Sequence, residues 1–304
     1  MQAGQNYSSV PQLTSTLHNM SFPVWLITGA SNGFGLGMCL HVLRAGHRVI
    51  GSVRSKTKAA TAVEQIERAG GSVIELDMTE SQASIASKIH ALGRIDYLIN
   101  VAGYSILAAC EDITDKEATL QMTTNFFGPL YTLQAVLPIM RAQRSGTIVN
   151  ISSGAAQDPL PACSLYSASK AALEAASEAL AKEVAPHNIR VLIVEPGNFR
   201  TNFVGALADA SPDPATVAPH YDNPVGMVMR KFLTIHGKQP GDPQKGVERI
   251  FEAVTGTGMA GPLTGKISRL VLGSDVYARM QKSCERFSHD LSLQEEVALS
   301  TDYA

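Results

Sequence analysis

Tyr166 and Lys170 stand four positions apart in Y-S-A-S-K, ahead of an alanine-rich run, A-A-L-E-A-A-S-E-A-L-A-K-E, of high helix propensity. Residues i and i+4 share one face of a helix, one above the other. An ammonium close to a phenol favours the phenolate, because opposite charge stabilises the ionised form. A tyrosine that exchanges protons near neutral pH needs such help, since its ordinary value lies near about 10. Ser153 precedes Tyr166 by thirteen positions and ends the apolar run T-I-V-N-I-S-S. That run predicts a buried strand, and its end meeting the helix would set a second hydroxyl beside the phenol. Alone, Y-x-x-x-K is also an ordinary helix-surface pair. Its weight comes from the surrounding chain.

Those groups need a frame, and its first piece lies at residues 23–46. Pro23-Val24-Trp25-Leu26-Ile27 predicts a short strand, followed by T-G-A-S-N-G-F-G at 28–35. Leu36, Leu40 and Leu43 then recur at helical spacing, with Gly46 as a C-cap. Strand, glycine-rich turn and helix form the context of a dinucleotide-binding loop. Glycines allow a tight turn and close approach of backbone to a pyrophosphate, which meets N–H groups at the helix start. The candidate contacts are Gly29, Ser31, Asn32, Gly33, Phe34 and Gly35.

The spacing T-G-x-x-x-G-x-G, joined with Ser153, Tyr166 and Lys170, resembles the short-chain dehydrogenase/reductase family. The compact branch has three residues between its first two glycines, whereas the epimerase and dehydratase branch uses T-G-x-x-G-x-x-G. The resemblance runs from about Val24 to Thr201, with independent motifs in the family's order. It implies an α/β fold: a Rossmann-type doubly wound parallel sheet of about seven strands, with helices on both faces. It also implies that Asp77, in L-D-M-T, contacts the adenine. Asn100 and Gly103 lie in N-V-A-G, where Val101 replaces the second asparagine of the family's motif. Asn125, in T-T-N-F-F-G, matches the residue that supports a water beside the lysine and a proton relay. Pro196, Gly197, Phe199 and Thr201 fall in the segment that borders the nicotinamide and binds its carboxamide. By the same resemblance Tyr166 and Lys170 also contact the cofactor, Lys170 holding the nicotinamide ribose.

The second strand bears on which dinucleotide is taken. His47 to Arg54 ends without a carboxylate, and no acid lies between Gly46 and Ala60. An acid at this place serves the ribose 2′-hydroxyl of NAD, whereas an arginine accommodates a 2′-phosphate. Arg54 at the strand end therefore points to NADP(H) over NAD(H), with Arg48, Lys56 and Lys58 adding positive charge nearby. The plainer reading of Arg54 is a solvated surface charge.

Composition narrows the field. The chain has 304 residues, 45% of them hydrophobic and 17% charged, with 25 basic against 27 acidic residues. That balance leaves no basic footprint for nucleic acid. Cys39, Cys110, Cys163 and Cys284 are scattered without metal-ligand spacing, which suits reduced thiols and a cytoplasmic setting. No zinc site and no membrane span are expected. Residues 1–22 read as a polar N-terminal extension rather than a secretory signal. Residues 23–273 are expected to form one domain, and 274–304 a C-terminal helix and tail.

Within that domain, Asn198 to Lys245 is broken by Pro212, Pro214, Pro219, Pro224, Pro240 and Pro243, and is expected to act as a substrate lid over about 198–245. G-M-V-M-R-K-F-L predicts a short helix there, in which Met227, Met229 and Phe232 face either a substrate or the lid's own packing. A helix from Pro243 to about Thr255 and a last strand near 268–273 follow. Gln121 to Met140 carries a broad apolar face for the core or for a homo-oligomer contact, dimer or tetramer.

The expected function is an NADPH-dependent reductase or the reverse alcohol dehydrogenase, with Tyr166 as general acid/base and Ser153, Lys170 and Asn125 in support. Tyr104, Leu160, Cys163, Phe199 and Phe203 suggest an apolar wall, hence a lipophilic ketone or aldehyde. The rival from another class is an NADP(H)-binding sensor or scaffold without turnover, which would be expected to lack the tyrosine or lysine. Internal redox, as in epimerases, fits the glycine spacing less well.

Overall fold

The computed structural model describes residues 22–203, 224–235 and 237–303. The N-terminal extension up to residue 21 lies outside the described residues, as does the lid segment 204–223 with Pro212, Pro214 and Pro219. Seven parallel strands form one sheet: β1 (Val24–Ile27), β2 (Arg48–Val53), β3 (Ser72–Glu75), β4 (Tyr97–Asn100), β5 (Gly146–Ile151), β6 (Ile189–Pro196) and β7 (Arg269–Leu272). Their order across the sheet is β3-β2-β1-β4-β5-β6-β7. The order reverses between β1 and β4, where a crevice opens at the carboxyl ends of the strands.

Both sheet faces are covered, so the strands are apolar on both sides. In β1 the alternation is legible residue by residue. Trp25 and Ile27 join Met38, Val42, Val247 and Ile250 on one face, while Leu26 joins Ile85, Val136 and Met140 on the other. Each such side chain, fully buried, contributes about 1.5–3 kcal/mol. The first face is packed by α1 (Gly33–Arg44), α2 (Ala60–Arg68) and α8 (Pro243–Thr255). The second is packed by α3 (Gln82–His90), α5 (Gly128–Gln143) and α6 (Ser164–Val184).

A helical rod runs from α4 (Asp115–Met122) through a π-turn (Thr123–Phe127) into α5. Thr114 and Glu117 close its start as a capping box. The helix expected within the proline-broken segment is α7 (Pro224–Ile235), and that expected from Pro243 is α8, with Asp242 capping it through the N–H groups of Gln244 and Lys245. The last helix, α9 (Ser274–Leu299), starts directly after β7. No helix among the described residues is long and apolar enough to cross a membrane.

Candidate active site

The glycine-rich turn follows from β1 having to turn sharply into α1. Gly29 has φ +67°, and a side chain there would come within 2.8 Å of the Ala102 backbone nitrogen. A Cβ on Gly35 would lie 2.1 Å from the Gly29 carbonyl. Gly33 has φ +53° and faces the Thr201 side chain at 3.4 Å from its own absent Cβ, so turn and Thr201 border one groove. Asn32 precedes α1 without a side-chain cap, and no acid occupies the first turn. The N–H groups at the helix start are thus available to an anion, and the helix dipole favours one there. Ser31 and Asn32 are exposed at the tip, while Phe34 packs against Phe199 with the rings tilted by 58° and their centroids 5.0 Å apart.

The N-V-A-G turn is held to this loop by Thr28, whose Oγ1 accepts the N–H groups of Val101 (3.0 Å) and Ala102 (3.2 Å). The side chain of Asn100 is committed elsewhere. Its Nδ2 donates to Asn150 at 2.8 Å and its Oδ1 accepts from Thr132 at 2.9 Å. Asn150 donates onward to Ser177, so a polar ladder ties β4 and β5 to α5 and α6. What Asn100 offers a ligand is therefore its place at the strand end.

Ser153 follows the end of β5, and Tyr166 lies in the first turn of α6, buried at 9% exposure. The Ser153 hydroxyl acts on the Tyr166 phenol as a hydrogen-bond partner that favours its ionised form. Ser153 Oγ also accepts the N–H of Ala155 at 3.2 Å, which fixes its direction. Lys170, one turn beyond Tyr166, donates from Nζ to the Ile151 carbonyl at 2.8 Å. Asn125 sits in the π-turn, a distortion often found at functional positions. Its Nδ2 donates to the Tyr104 carbonyl (2.9 Å) and Ser169 Oγ (3.0 Å), and its Oδ1 accepts from the Tyr104 N–H (3.1 Å). The position a Cβ on Gly103 would take is 3.2 Å from Asn125 Oδ1 and 3.3 Å from Lys170 Nζ. Asn125, Ser153, Tyr166, Lys170 and Gly103 are thus gathered in one place.

The electrostatics differ from the sequence expectation. Burial pushes the Tyr166 phenol up to about 12, opposed by its bond to Ser153, with the Cys163 thiol adding a smaller upward push. Lys170 does not depress it in this state. Burial instead pulls the lysine down to about 8, against the pull of Glu174. Desolvation is the largest cause of both shifts. A catalytic role for the phenol therefore rests on charge that arrives with ligands or develops during reaction.

The remaining site residues fall as follows. Arg54 is exposed just beyond β2. Asp77 spends one oxygen on its own turn, Oδ1 accepting from Thr79 N and Oγ1, both at 2.9 Å. Pro196 and Gly197 end β6, with Gly197 donating to the Leu272 carbonyl at 2.8 Å. The Phe199 ring, expected along a substrate wall, is half-buried and committed on one side to the fold. It packs on Phe34, and side chains at Gly241 or Gly246 would strike it at 2.7 and 2.9 Å. Phe203, by contrast, lies beside Tyr166, with ring centroids 5.9 Å apart.

Leu160 and Cys163 belong to an apolar cluster with Leu107, Ala109, Ala162, Met229 and Phe232. Met229 and Phe232 of α7 thus pack the loop ahead of Tyr166, while Met227 is 65% exposed. Ala162 holds φ +66°, a conformation alanine rarely adopts, and its carbonyl accepts from Ala108 N at 3.2 Å. Burial pushes the Cys163 thiol up to about 11, which makes it an inert packing group. Thr28, Ser169 and Glu174 were not singled out from sequence as site residues. Glu174 had a signal available, four positions beyond Lys170 on the same helix.

The residues present fit a nicotinamide dinucleotide: an open helix start behind a glycine turn, a groove edge at Thr201, and a hydroxyl–lysine cluster across the crevice. Comparison with known proteins agrees with this class. The chain matches the family described as short chain dehydrogenase over residues 23–211. It belongs to that family, whose fold binds a nicotinamide cofactor, and is an oxidoreductase by membership.

Among individual relatives, it is 32% identical over 281 residues to Oxidoreductase BOA17 of Botryotinia fuckeliana, covering 91% of this chain and 98% of that protein. It is 45% identical over 188 residues to Oxidoreductase claN of Passalora fulva, covering 60% of this chain and 84% of the relative. A solved short-chain dehydrogenase from Streptomyces avermitilis superposes with a TM-score of 0.80 at 36% identity, covering 93% of this chain and all of that one.

Proposed function

We propose that this protein interconverts a ketone or aldehyde and an alcohol on a lipophilic small molecule, with NADP(H) as its dinucleotide. The observation that carries the proposal is the gathering of the Ser153 hydroxyl and the buried Tyr166 phenol, one helical turn from the buried amine of Lys170, which donates to the Ile151 carbonyl. When bound, the nicotinamide supplies or accepts the hydride. Ser153 would donate to the substrate oxygen and hold it against Tyr166. The phenol, in its neutral form at ordinary pH, would give its proton to that oxygen as negative charge develops there. A donor so placed contributes about 3–4 kcal/mol in comparable oxyanion sites. Lys170 would stabilise the phenolate left behind, and Asn125 would keep the local backbone and Ser169 in order around it.

Selection of NADP(H) is supported by the exposed Arg54 beyond β2 and the lack of a nearby acid on that strand. Lipophilic substrates are supported by the cluster around Leu107, Ala162 and Met229 and by the Phe203 ring beside Tyr166. The segment 198–245 would close over such a substrate. The test is Tyr166→Phe, assayed for nicotinamide oxidation against a panel of ketones and aldehydes. Turnover should fall by about a thousandfold or more with NADPH binding kept within a few-fold. A variant that turns over like wild type removes Tyr166 from its role. A wild-type protein that binds NADPH tightly yet reduces nothing in the panel would favour a sensor instead.

A further inference from the structure

Behind the Ser153–Tyr166 pair lies a buried charged cluster that the proposed reaction does not use. On α6, residues 166, 170 and 174 drift about 40° around the helix with each step of four, so Glu174 lies behind Lys170 on nearly the same stripe. Glu174 is 2% exposed. Its Oε1 accepts from Ser152 Oγ at 2.5 Å, and its Oε2 accepts from Gln157 Nε2 and from Arg269 Nη1, the latter at 2.6 Å. Ser152 and Gln157 bracket the turn that begins with Ser153. Arg269 sits at the start of β7 and reaches Glu195, which directly precedes Pro196 and Gly197, and Glu178 at 2.7 Å. One carboxylate therefore joins the strand end bearing Ser153, the far end of its turn, the helix bearing Tyr166 and Lys170, and the outer strand.

We propose that Glu174 is a positioning residue, which fixes the Ser153 hydroxyl against Tyr166 by clamping both ends of the Ser153 turn to α6. The inference rests on the reaction proposed above. Ser152 is itself tied to β6 through its N–H to the Val194 carbonyl at 2.7 Å, so the carboxylate sets the helix against the sheet rather than against a loose loop. The backbone of the turn is short, and Ser153 Oγ has Ala155 N as its other partner. Loss of the clamp frees the side chains at both ends of the turn, so that Ser153 is held less firmly to the phenol and turns more readily to its own backbone. The carboxylate has a second effect, because its charge favours the ammonium form of Lys170. The charged and titratable groups facing this region are Tyr166, Lys170 and Glu178 on α6, Glu195 on β6 and Arg269 on β7.

Two variants separate position from charge. Glu174→Gln keeps the shape but loses the charge and one acceptor. Glu174→Asp keeps the charge but withdraws it from Ser152 by one methylene. Both should lower kcat by about 10- to 100-fold with KM for NADPH nearly unchanged. Glu174→Gln should also shift the alkaline limb of the pH–rate profile to lower pH, while Glu174→Asp leaves that limb in place. Ser152→Ala, a milder change, should reproduce the loss of kcat without the pH shift.

A crystal structure of unliganded Glu174→Gln should show the Ser153–Tyr166 hydrogen bond broken. An intact bond with wild-type kcat in Glu174→Gln and Ser152→Ala overturns the proposal. So does a loss of melting temperature with no change in kcat or profile. Tyr166→Phe run alongside tells the two failures apart. If it is active, the reaction itself is misassigned; if it is dead while Glu174→Gln is normal, only the clamp is wrong.

Discussion

The α carbon of Gly103 lies against the ammonium of Lys170 so closely that a methyl group on it would stand 3.3 Å from Nζ and 3.2 Å from Asn125 Oδ1. Its backbone is not in the left-handed region, so alanine is excluded by neighbours and not by φ. Those neighbours would have to give by a few tenths of an ångström. Gly103→Ala should lower kcat by about tenfold while leaving thermal stability almost unchanged, and Gly103→Val should do more. Steady-state kinetics beside a melting curve decide it. Equal kcat for the alanine variant would mean that Lys170 and Asn125 have room to spare.

Two buried groups give stability opposite slopes in separate pH windows. Glu195, 1% exposed, is raised from 4.5 to about 7, by burial first, then by the nearby Glu174, with Arg269 opposing. A raised acid binds its proton more tightly when folded, so its contribution is complete below pH 4.5 and is lost as pH rises through about 7. Lys170 is lowered from 10.5 to about 8, by burial. A lowered base binds its proton less tightly when folded, so stability is gained between about 8 and 10.5 and lost as pH falls through that window. Each effect is worth on the order of 3 kcal/mol. Denaturant melts should show a minimum near pH 7–8. Glu195→Gln should flatten the acidic side of that minimum, and Lys170→Met the alkaline side. A wild-type curve level from pH 5 to 10 would contradict both.

Arg54 is a third case, in which the effect is on selectivity alone. It is exposed and sits beyond the strand end, so its loss costs the fold nothing measurable. Arg54→Ala should raise KM for NADPH by about tenfold, as loss of one charge-assisted phosphate contact does, while KM for NADH changes by less than about twofold. Parallel loss toward both dinucleotides would place the arginine elsewhere on the cofactor, and no loss toward either would return it to the solvent.

How much of this was legible in the sequence follows from distance along the chain. The glycine turn and Tyr166 with Lys170 were readable because each motif is contiguous and local backbone rules dictate its shape, whereas Asn125 was readable through the family resemblance of T-T-N-F-F-G alone. The bounds of α8 and the start of α9 were readable from Pro243 and from the change at Ser274, where the C-terminal helix and tail are expected to begin. The clamp at Glu174 was not, since Arg269 lies ninety-five residues away and only the sheet order brings β7 beside β6. The spacing of Tyr166 and Lys170 reports proximity and says nothing of burial, which sets the direction of the Tyr166 shift. The place of Phe199 just after Pro196 and Gly197 in the sequence says nothing of what its ring touches. Its actual partner, Phe34, belongs to the other end of the chain.

The start of α9 illustrates the same limit and yields the last test. Asp275 in its first turn accepts from Asn198 N at 3.0 Å and Nδ2 at 2.8 Å, holding the strand-end loop of Gly197. A side chain at Gly197 or Gly273 would strike that carboxylate, at 2.2 and 2.7 Å. One residue on, Val276 is buried against Gly154, where a Cβ would come within 2.1 Å of it. A turn later Arg279 pairs with Asp158 at 2.7 Å, and Ser283 donates to the Gln157 carbonyl at 3.3 Å. The helix therefore touches both loops that flank the candidate site, the one after Ser153 and the one after Pro196. Asp275→Ala removes the acceptor of two donors and should cost about 1–3 kcal/mol of stability. Because the freed loop leads into Thr201 at the edge of the candidate site, kcat/KM should fall by about tenfold as well. Asp275→Asn, which keeps one acceptor oxygen, should lie between the two. A stability loss with kcat/KM intact would make α9 a mere brace, with no hold on the geometry of the site.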